Sequence, residues 1–102
     1  MNDFEVFKDM ELYPIDRYDF EVIFYELFQL IDCDDIETSN FKYWRFGDEY
    51  YFLHKTSGTL IYYYKHLGRS NTCNKILTLQ EYIIFVDNFI TEIKKEFNMR
   101  SW

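Results

Sequence analysis

Two cysteines, two histidines and 18 acidic residues are the side chains of this chain that could do chemistry. The cysteines and histidines could together supply four zinc ligands, namely Cys33, Cys73, His54 and His66. Neither pair has the close CxxC or HxxxH spacing typical of zinc sites. The acidic run DCDDIE at residues 32–37 offers oxygen ligands but lacks the spacing of a calcium loop. We therefore expect no metal, no cofactor and two reduced thiols.

Covalent catalysis has equally little support in the sequence. The chain contains no GxSxG, GxxxxGK[ST] or HExxH motif. Cys73 lies in a polar stretch near Arg69 and Lys75, which could lower its pKa, but it would still need His66 beside it and a third group to orient the pair. A carboxylate pair for glycoside cleavage needs a cleft that a chain of 102 residues rarely builds. We expect that the protein is not an enzyme.

The acidic residues are concentrated at one end of the chain. Residues 1–40 contain 12 acids against Lys8 and Arg17, a net charge of −10, whereas residues 41–102 have a net charge of +3. Such asymmetry indicates an interaction surface, with an ordinary solvated acidic face as the alternative.

Two helices are predicted to position these charges. Asp16 offers an N-cap, and apolar residues recur from Arg17 to about Ile31 at the spacing of one helix face. Thr78 and Glu81 form a capping-box pattern that begins a second helix, ending before the tail at residues 98–102. The run at residues 32–37 is predicted to be an acidic loop. Residues 3–13 fit neither helix nor strand periodicity.

Three aromatic-rich strands are predicted between the helices, at residues 41–46, 49–56 and 59–66. Ser57-Gly58 is interpreted as a two-residue hairpin turn, which would place Leu53 opposite Tyr62. The chain is thus predicted to be one α+β domain, residues 1–102, with a helix, a three-stranded antiparallel sheet and a C-terminal helix. Both helices would pack on one sheet face, and the other face would stay partly open with Tyr and Lys on it.

The sequence also favours a cytoplasmic protein. It has no apolar run of 18 residues and no basic segment followed by an apolar stretch, so neither a membrane span nor a signal peptide is predicted. Two cysteines without motif spacing do not resemble the dense disulfide framework of a small secreted domain.

Direct binding of nucleic acid is a weaker interpretation. Basic residues stand among aromatic ones in the predicted strands, as at Lys42, Arg45, Lys55 and Lys65, and aromatic sheets can stack bases. The order helix, three strands, helix is also that of double-stranded-RNA binding domains. A polyanion would, however, meet the −10 segment, so we expect no nucleic-acid partner.

The reverse polarity is the stronger hypothesis. Carboxylates fixed along a helix and its flanking loop could imitate a phosphate backbone and occupy a basic nucleic-acid-binding groove, with aromatic residues as anchors. The predicted partner-binding residues are Asp16, Asp19, Glu21, Glu26, Asp32, Asp34, Asp35 and Glu37. A second acidic patch comprises Asp3, Glu5, Asp9 and Glu11.

In size, charge and element order the chain resembles small acidic phage proteins that inhibit CRISPR effectors or other host nucleases. Some type II anti-CRISPR proteins share the order helix, three-stranded sheet, C-terminal helix. The alanine-free, Ile-, Asn-, Lys-, Phe- and Tyr-rich composition is similar to translated AT-rich genomes of Gram-positive bacteria and their phages. The resemblance implies a non-enzymatic inhibitor that acts in the host cytoplasm, and it implies no residue roles.

Two alternatives remain open. Small acidic immunity proteins also block the basic active sites of nuclease toxins, and residues 47–66 (GDEYYFLHKTSGTLIYYYKH) are loosely similar to the strand–turn–strand centre of some immunity families. The exposed aromatic sheet face could instead form a homodimer in a structural protein.

Overall fold

A computed structural model describes residues 11–65 and 71–97 and has two helices on one face of a six-stranded antiparallel sheet. In chain order the elements are β1 (Tyr13–Ile15), α1 (Arg17–Leu30), β2 (Asp35–Glu37), β3 (Phe41–Phe46), β4 (Glu49–His54), β5 (Thr59–Tyr64), β6 (Asn71–Cys73) and α2 (Leu79–Glu96). The predicted α+β class is confirmed.

The predicted three-stranded sheet is wrong, because β1, β2 and β6 extend it on both sides in the order β1-β6-β5-β4-β3-β2. Each added strand has only three residues, too few to show a period in the sequence. β2 lies where an acidic loop was predicted. Its Ile36 packs against the core while Asp35 and Glu37 stay exposed, so pairing with β3 makes a strand of this acidic segment.

Pairing registers align one row of residues across the whole sheet. From β1 to β2 the row contains Tyr13, Cys73, Ile61, Phe52, Tyr43 and Ile36. These residues belong to the core beneath the helices or pair with its members, so their strand neighbours point to the opposite face.

The β4–β5 hairpin has a four-residue loop, Lys55 to Gly58, where a two-residue turn was predicted. Leu53 therefore pairs with Leu60, and Tyr62 pairs with Tyr51. The loop is held by a bond from the Gly58 N–H to the His54 carbonyl at 2.9 Å, and Gly58 has a φ of 74°, which glycine adopts without strain.

Both helix starts follow the predicted capping. The Asp16 carboxylate accepts from the backbone N–H of Tyr18 at 2.8 Å, and Thr78 and Glu81 form both bonds of the capping box. α1 ends at Leu30, since Ile31 is already extended.

Aromatic rings fill the space between the helices and the sheet. Phe20 stacks on Phe24 of the same helix, with ring centroids 4.2 Å apart, and on Tyr63 of β5 at 4.6 Å. Phe41 stacks on Phe89 of α2 at 4.7 Å. Each fully buried Phe contributes about 1.5–3 kcal/mol, so this layer fixes the position of α1 on the sheet.

A second apolar cluster lies on the other face of the sheet. We call Trp44, Tyr51, Leu53 and Leu60 the second-face cluster. Its members are 2–9% exposed, and the rings of Trp44 and Tyr51 stack with centroids 5.0 Å apart. These four side chains are closed off from water, but the rest of the face is partly open, as predicted, because Lys42, Tyr62 and Tyr64 on it are half-buried.

Candidate functional site: an acidic surface around helix α1

Helix α1 exposes an apolar stripe to solvent. Tyr18, Val22 and Tyr25 are 73%, 58% and 65% exposed. Their spacing of i, i+4 and i+7 places them in one line, on the side of the helix opposite buried Phe20 and Phe24. We call these three residues the α1 stripe. Three large exposed apolar side chains in a row are typical of an interaction surface.

Carboxylates border the α1 stripe on both sides. At 100° per residue, Glu21 lies along one edge, and Asp19 and Glu26 lie along the other. All three acids are exposed. The arrangement combines apolar anchors with a negative rim, which suits a partner that is basic around an apolar contact.

Glu21 is held in place by two neighbours. Its Oε1 accepts from Arg17 Nε at 2.9 Å and from the Tyr63 hydroxyl at 3.4 Å. The hydrogen bond and charge of Glu21 raise the pKa of Arg17. Burial and the Glu21 carboxylate raise the pKa of Tyr63, so this phenol stays protonated as a donor. Glu21 is thus fixed at the edge of the α1 stripe.

A cavity of about 400 Å³ opens beside the α1 stripe. Tyr25 and Phe28 of α1 form one wall and Tyr50 and Tyr63 form the other, with Glu21 and Lys65 also lining it. Phe28 meets Tyr50 edge to face, with centroids 5.4 Å apart. The cavity is large enough to take a side chain of a partner, and aromatic walls favour a planar or apolar one.

The predicted acids are only partly brought together. Asp16 caps α1, so its carboxylate already serves two backbone N–H groups. Asp32 and Asp34 are exposed in the loop after α1 and continue its negative surface toward Arg45, which shares a cavity of about 260 Å³ with them.

Asp35 and Glu37 lie away from the α1 surface. Both stand on β2, where Ile36 between them points to the core, so alternation directs them to the opposite sheet face. Glu37 also forms an ion pair with Lys55 at 2.8 Å. Of the second acidic patch, Glu11 is exposed before β1, and Asp3, Glu5 and Asp9 lie outside the described residues.

The partner-binding residues predicted from the sequence are all acids and do not include the α1 stripe. The signal was present, because Tyr18, Val22 and Tyr25 follow helical spacing on the side that the core periodicity leaves free. A line of apolar residues on the solvent side of a predicted amphipathic helix is the pattern that finds such a surface.

Other chemically capable residues lie in structural settings. Burial raises the pKa of Cys73, in contrast to the lowering that nearby cations could produce. His54 Nδ1 is 2.6 Å from Ser57 Oγ, but this hydroxyl also contacts Thr59 Oγ1 at 2.9 Å, so the group belongs to the hydrogen bonds of the hairpin turn. His66 lies outside the described residues.

Within residues 11–65 and 71–97, no three His, Cys, Asp or Glu side chains are grouped to hold a metal ion. In the same part of the chain, neither helix has an apolar stretch long enough to cross a membrane. Comparison with protein-family models, with curated proteins and with solved structures gives no match.

Proposed function

We propose that the protein is a non-enzymatic inhibitor that binds a nucleic-acid-handling enzyme, such as a CRISPR effector or a similar host defence nuclease, through the α1 surface. This surface comprises the α1 stripe with Asp19, Glu21, Glu26, Asp32 and Asp34 around it. The observation that carries the proposal is the exposure of three apolar side chains in one line, bordered by carboxylates on both sides.

The two components of the surface have different roles in binding. The carboxylates attract a basic groove from a distance and orient the encounter, an effect that salt weakens. The exposed aromatic rings of Tyr18 and Tyr25 supply contact area that excludes water, which charge alone does not provide. A complex of this kind is steered by charge and anchored by the stripe.

The dimensions of the surface fit mimicry of one nucleic-acid strand. α1 has 14 residues and is about 21 Å long. A DNA strand carries one phosphate per 3.4 Å, so the helix matches roughly six phosphates in length. The surface carboxylates from Asp19 to Asp34 follow this length and continue beyond its C-terminal end.

Charge reversal in two matched pairs of positions tests the proposal. Glu26→Lys with Asp32→Lys changes the α1 surface, and lysine near the C-terminal end of α1 suits the helix dipole. Asp35→Lys with Glu37→Lys makes the same change in charge on β2. The readout is cleavage of target DNA by a purified, guide-loaded type II CRISPR effector from an AT-rich Gram-positive host. The first pair should abolish inhibition and the second should leave most of it.

If the Glu26→Lys, Asp32→Lys variant has an unchanged melting temperature and still inhibits fully, the proposed interface is wrong. The immunity-protein alternative uses the same acidic surface against the basic active site of a nuclease toxin. A chain that leaves CRISPR effectors active but protects cells from such a toxin would decide for that alternative. The homo-oligomer alternative would use the aromatic sheet face, on which Tyr62 and Tyr64 are half-buried. A dimer mass in solution that persists at high salt would decide for it.

A further inference from the structure

The cavity of about 400 Å³ beside the α1 stripe, here called the α1 cavity, has aromatic walls and a charged edge. Tyr50 and Tyr63 form its sheet-side wall and are each 8% exposed, with ring centroids 5.6 Å apart. Tyr25 on the opposite wall is 65% exposed. The charged residues that line the cavity are Glu21 and Lys65, and both are exposed. A side chain that enters the α1 cavity therefore meets aromatic rings on two sides and charge at the edge.

Glu21 is oriented at this edge before any partner arrives. Its Oε1 accepts from Arg17 Nε at 2.9 Å and from the Tyr63 hydroxyl at 3.4 Å. Among the described residues, these hydrogen bonds all end on Oε1, so Oε2 is open to a further donor. An apolar side chain in the α1 cavity would cover this oxygen without giving it a hydrogen bond, which costs free energy. The chemistry of the edge therefore favours an occupant that carries N–H donors and positive charge.

We propose that the α1 cavity receives an arginine side chain of the partner enzyme, an inference that rests on the proposed function. A guanidinium is planar and weakly hydrated, stacks on aromatic faces and has five N–H donors for a carboxylate. It lies against the aromatic walls and donates to Glu21 Oε2. The ammonium of lysine is a strongly hydrated point charge that does not stack, so lysine fits the same cavity less well.

The protein already contains one contact of this kind. Arg45 holds its guanidinium carbon 5.2 Å from the centre of the Tyr50 ring. Its Nε donates to the Gly47 carbonyl at 2.7 Å, which fixes Arg45 at the β3–β4 turn. Arg45 lines the neighbouring cavity of about 260 Å³, whereas Tyr50 and Phe28 line both cavities. The sheet-side wall therefore contacts one guanidinium from the neighbouring cavity, and the α1 cavity offers a second position beside the same ring.

Lys65 is the residue of the α1 cavity that opposes a cation. Its backbone N–H donates to the Asp48 carbonyl at 3.0 Å, which places the residue, but its side chain is exposed and can extend into water. The five acids of the α1 surface outnumber Arg17, Arg45 and Lys65, so the surrounding field still attracts a cation. Removal of the Lys65 charge should therefore strengthen the binding of arginine, whereas it would weaken the binding of an anion.

Two blocked tripeptides test the α1 cavity in the absence of the enzyme. Acetyl-Gly-Arg-Gly-amide and acetyl-Gly-Lys-Gly-amide carry the same charge and differ only in the central side chain. At about 10 mM the arginine peptide should shift the ring NMR signals of Tyr25, Tyr50 and Tyr63 in the full chain, and it should bind severalfold more tightly than the lysine peptide. Equal binding of the two peptides, or no shift of these three rings, would overturn the proposal.

Three variants assign this binding to the α1 cavity. Glu21→Gln should weaken binding of the arginine peptide by about fivefold, because a charge-assisted hydrogen bond is lost. Glu26→Gln makes the same change in charge on α1 outside the cavity and is the matched control, with an effect below about twofold. Lys65→Gln should tighten binding. Equal effects of Glu21→Gln and Glu26→Gln would overturn the proposal, as would weaker binding after Lys65→Gln.

The same variants with the enzyme separate this inference from the proposed function. At unchanged melting temperature, Glu21→Gln should raise the concentration for half inhibition of a guide-loaded type II CRISPR effector about tenfold, and Glu26→Gln about twofold. Equal small losses would overturn the arginine contact and leave the proposed function intact. If the wild-type chain does not inhibit the effector at all, the proposed function is wrong, and the peptide measurements alone decide whether the cavity takes arginine.

Discussion

Arg17 donates through Nε to Glu21 at 2.9 Å, one turn further along α1. Arg17 is the only basic residue between positions 11 and 41, so the one cation that this segment contributes is paired with a single carboxylate. Apart from Arg17, this segment contains no basic residue that could neutralise Asp19, Glu26, Asp32 or Asp34. The helix therefore presents a net negative charge around the α1 stripe.

Removal of this cation should strengthen partner binding at little cost to stability. Both side chains of the pair are about half exposed, so Arg17→Gln should leave the free energy of unfolding almost unchanged. The negative surface gains one uncompensated charge, so affinity for the basic partner should rise at low salt. Urea denaturation and binding measurements at two salt concentrations check both effects. A weaker complex at low salt would contradict the electrostatic role of the surface.

Two neighbouring aromatic residues of α1 should separate folding from binding. Phe24 is fully buried, so Phe24→Ala should cost about 3–5 kcal/mol of stability. Tyr25 is 65% exposed, so Tyr25→Ala should change stability by no more than about 0.5 kcal/mol. The same Tyr25 change should weaken the complex by about tenfold or more, equivalent to about 1.4 kcal/mol. Thermal denaturation measures the change in stability, and titration with the partner measures the change in affinity. Unaltered affinity of the Tyr25 variant would exclude the stripe as an anchor.

Acid should destabilise the contact between α2 and the β2–β3 connection. Desolvation raises the pKa of Glu92, but hydrogen bonds from the Asn40 side chain and backbone outweigh it, and the pKa lies below its ordinary value of 4.5. A lowered pKa in the folded state contributes stability above the unfolded-state pKa, and this contribution is lost as the pH falls through the folded value.

Glu92→Gln should therefore destabilise the protein at pH 7 and have a smaller effect below about pH 4. Urea denaturation of both proteins between pH 3 and 7 provides the comparison. Glu81→Gln is unsuitable as a control because Glu81 belongs to the capping box, whereas Glu26→Gln changes an exposed acid on the other helix. Equal destabilisation by Glu92→Gln at every pH would rule out the linkage.

The two cysteines should differ sharply in reactivity. Cys33 is exposed in the loop after α1, with Sγ 2.8 Å from the Asp35 carbonyl. Cys73 is buried, and burial raises the pKa of its thiol, so both access and thiolate formation are reduced. Brief iodoacetamide treatment of the native protein should alkylate Cys33 alone, and Cys73 should react only in denaturant. Mass spectrometry of the peptides reads out the result, and equal labelling of both in the native state would contradict the buried position of Cys73.

The sequence predicted the helices well because their signals are local. Asp16 and Thr78 cap them, and long apolar periods such as Phe20, Phe24 and Leu27 define the buried faces. The strands β3, β4 and β5 were visible for a similar reason, since each is an aromatic-rich run of six residues.

The short strands and the hairpin register depend on contacts between distant residues. Tyr13 pairs with Cys73, and no local pattern in either segment indicates the other. The observed register of β4 with β5 differs from the predicted one because residues 55–58 form a four-residue loop that contains the His54–Ser57 contact. The dipeptide Ser57-Gly58 alone does not indicate the length of this loop. Three-residue strands become regular only when a neighbouring strand supplies their hydrogen bonds.

The candidate site was predicted in part. The acids of α1 were identified from charge density, but the same criterion also included Asp35 and Glu37, which strand alternation directs to the other face. A count of charges does not show which way a side chain points, so it could not separate the acids of α1 from Asp35 and Glu37. The α1 stripe is found only by examining the side of the helix that the core periodicity leaves exposed.

Affinity capture with a matched variant tests whether the protein binds its partner through the α1 surface. Tagged wild-type chain and a Tyr18→Ser, Tyr25→Ser variant are incubated with a purified guide-loaded type II CRISPR effector and washed at low and then high salt. The wild-type chain should retain the effector at low salt, release it as salt rises and lose it to competing target DNA. The variant should retain little at any salt concentration. Equal capture by both chains, unaffected by salt and by DNA, would contradict binding through the α1 surface.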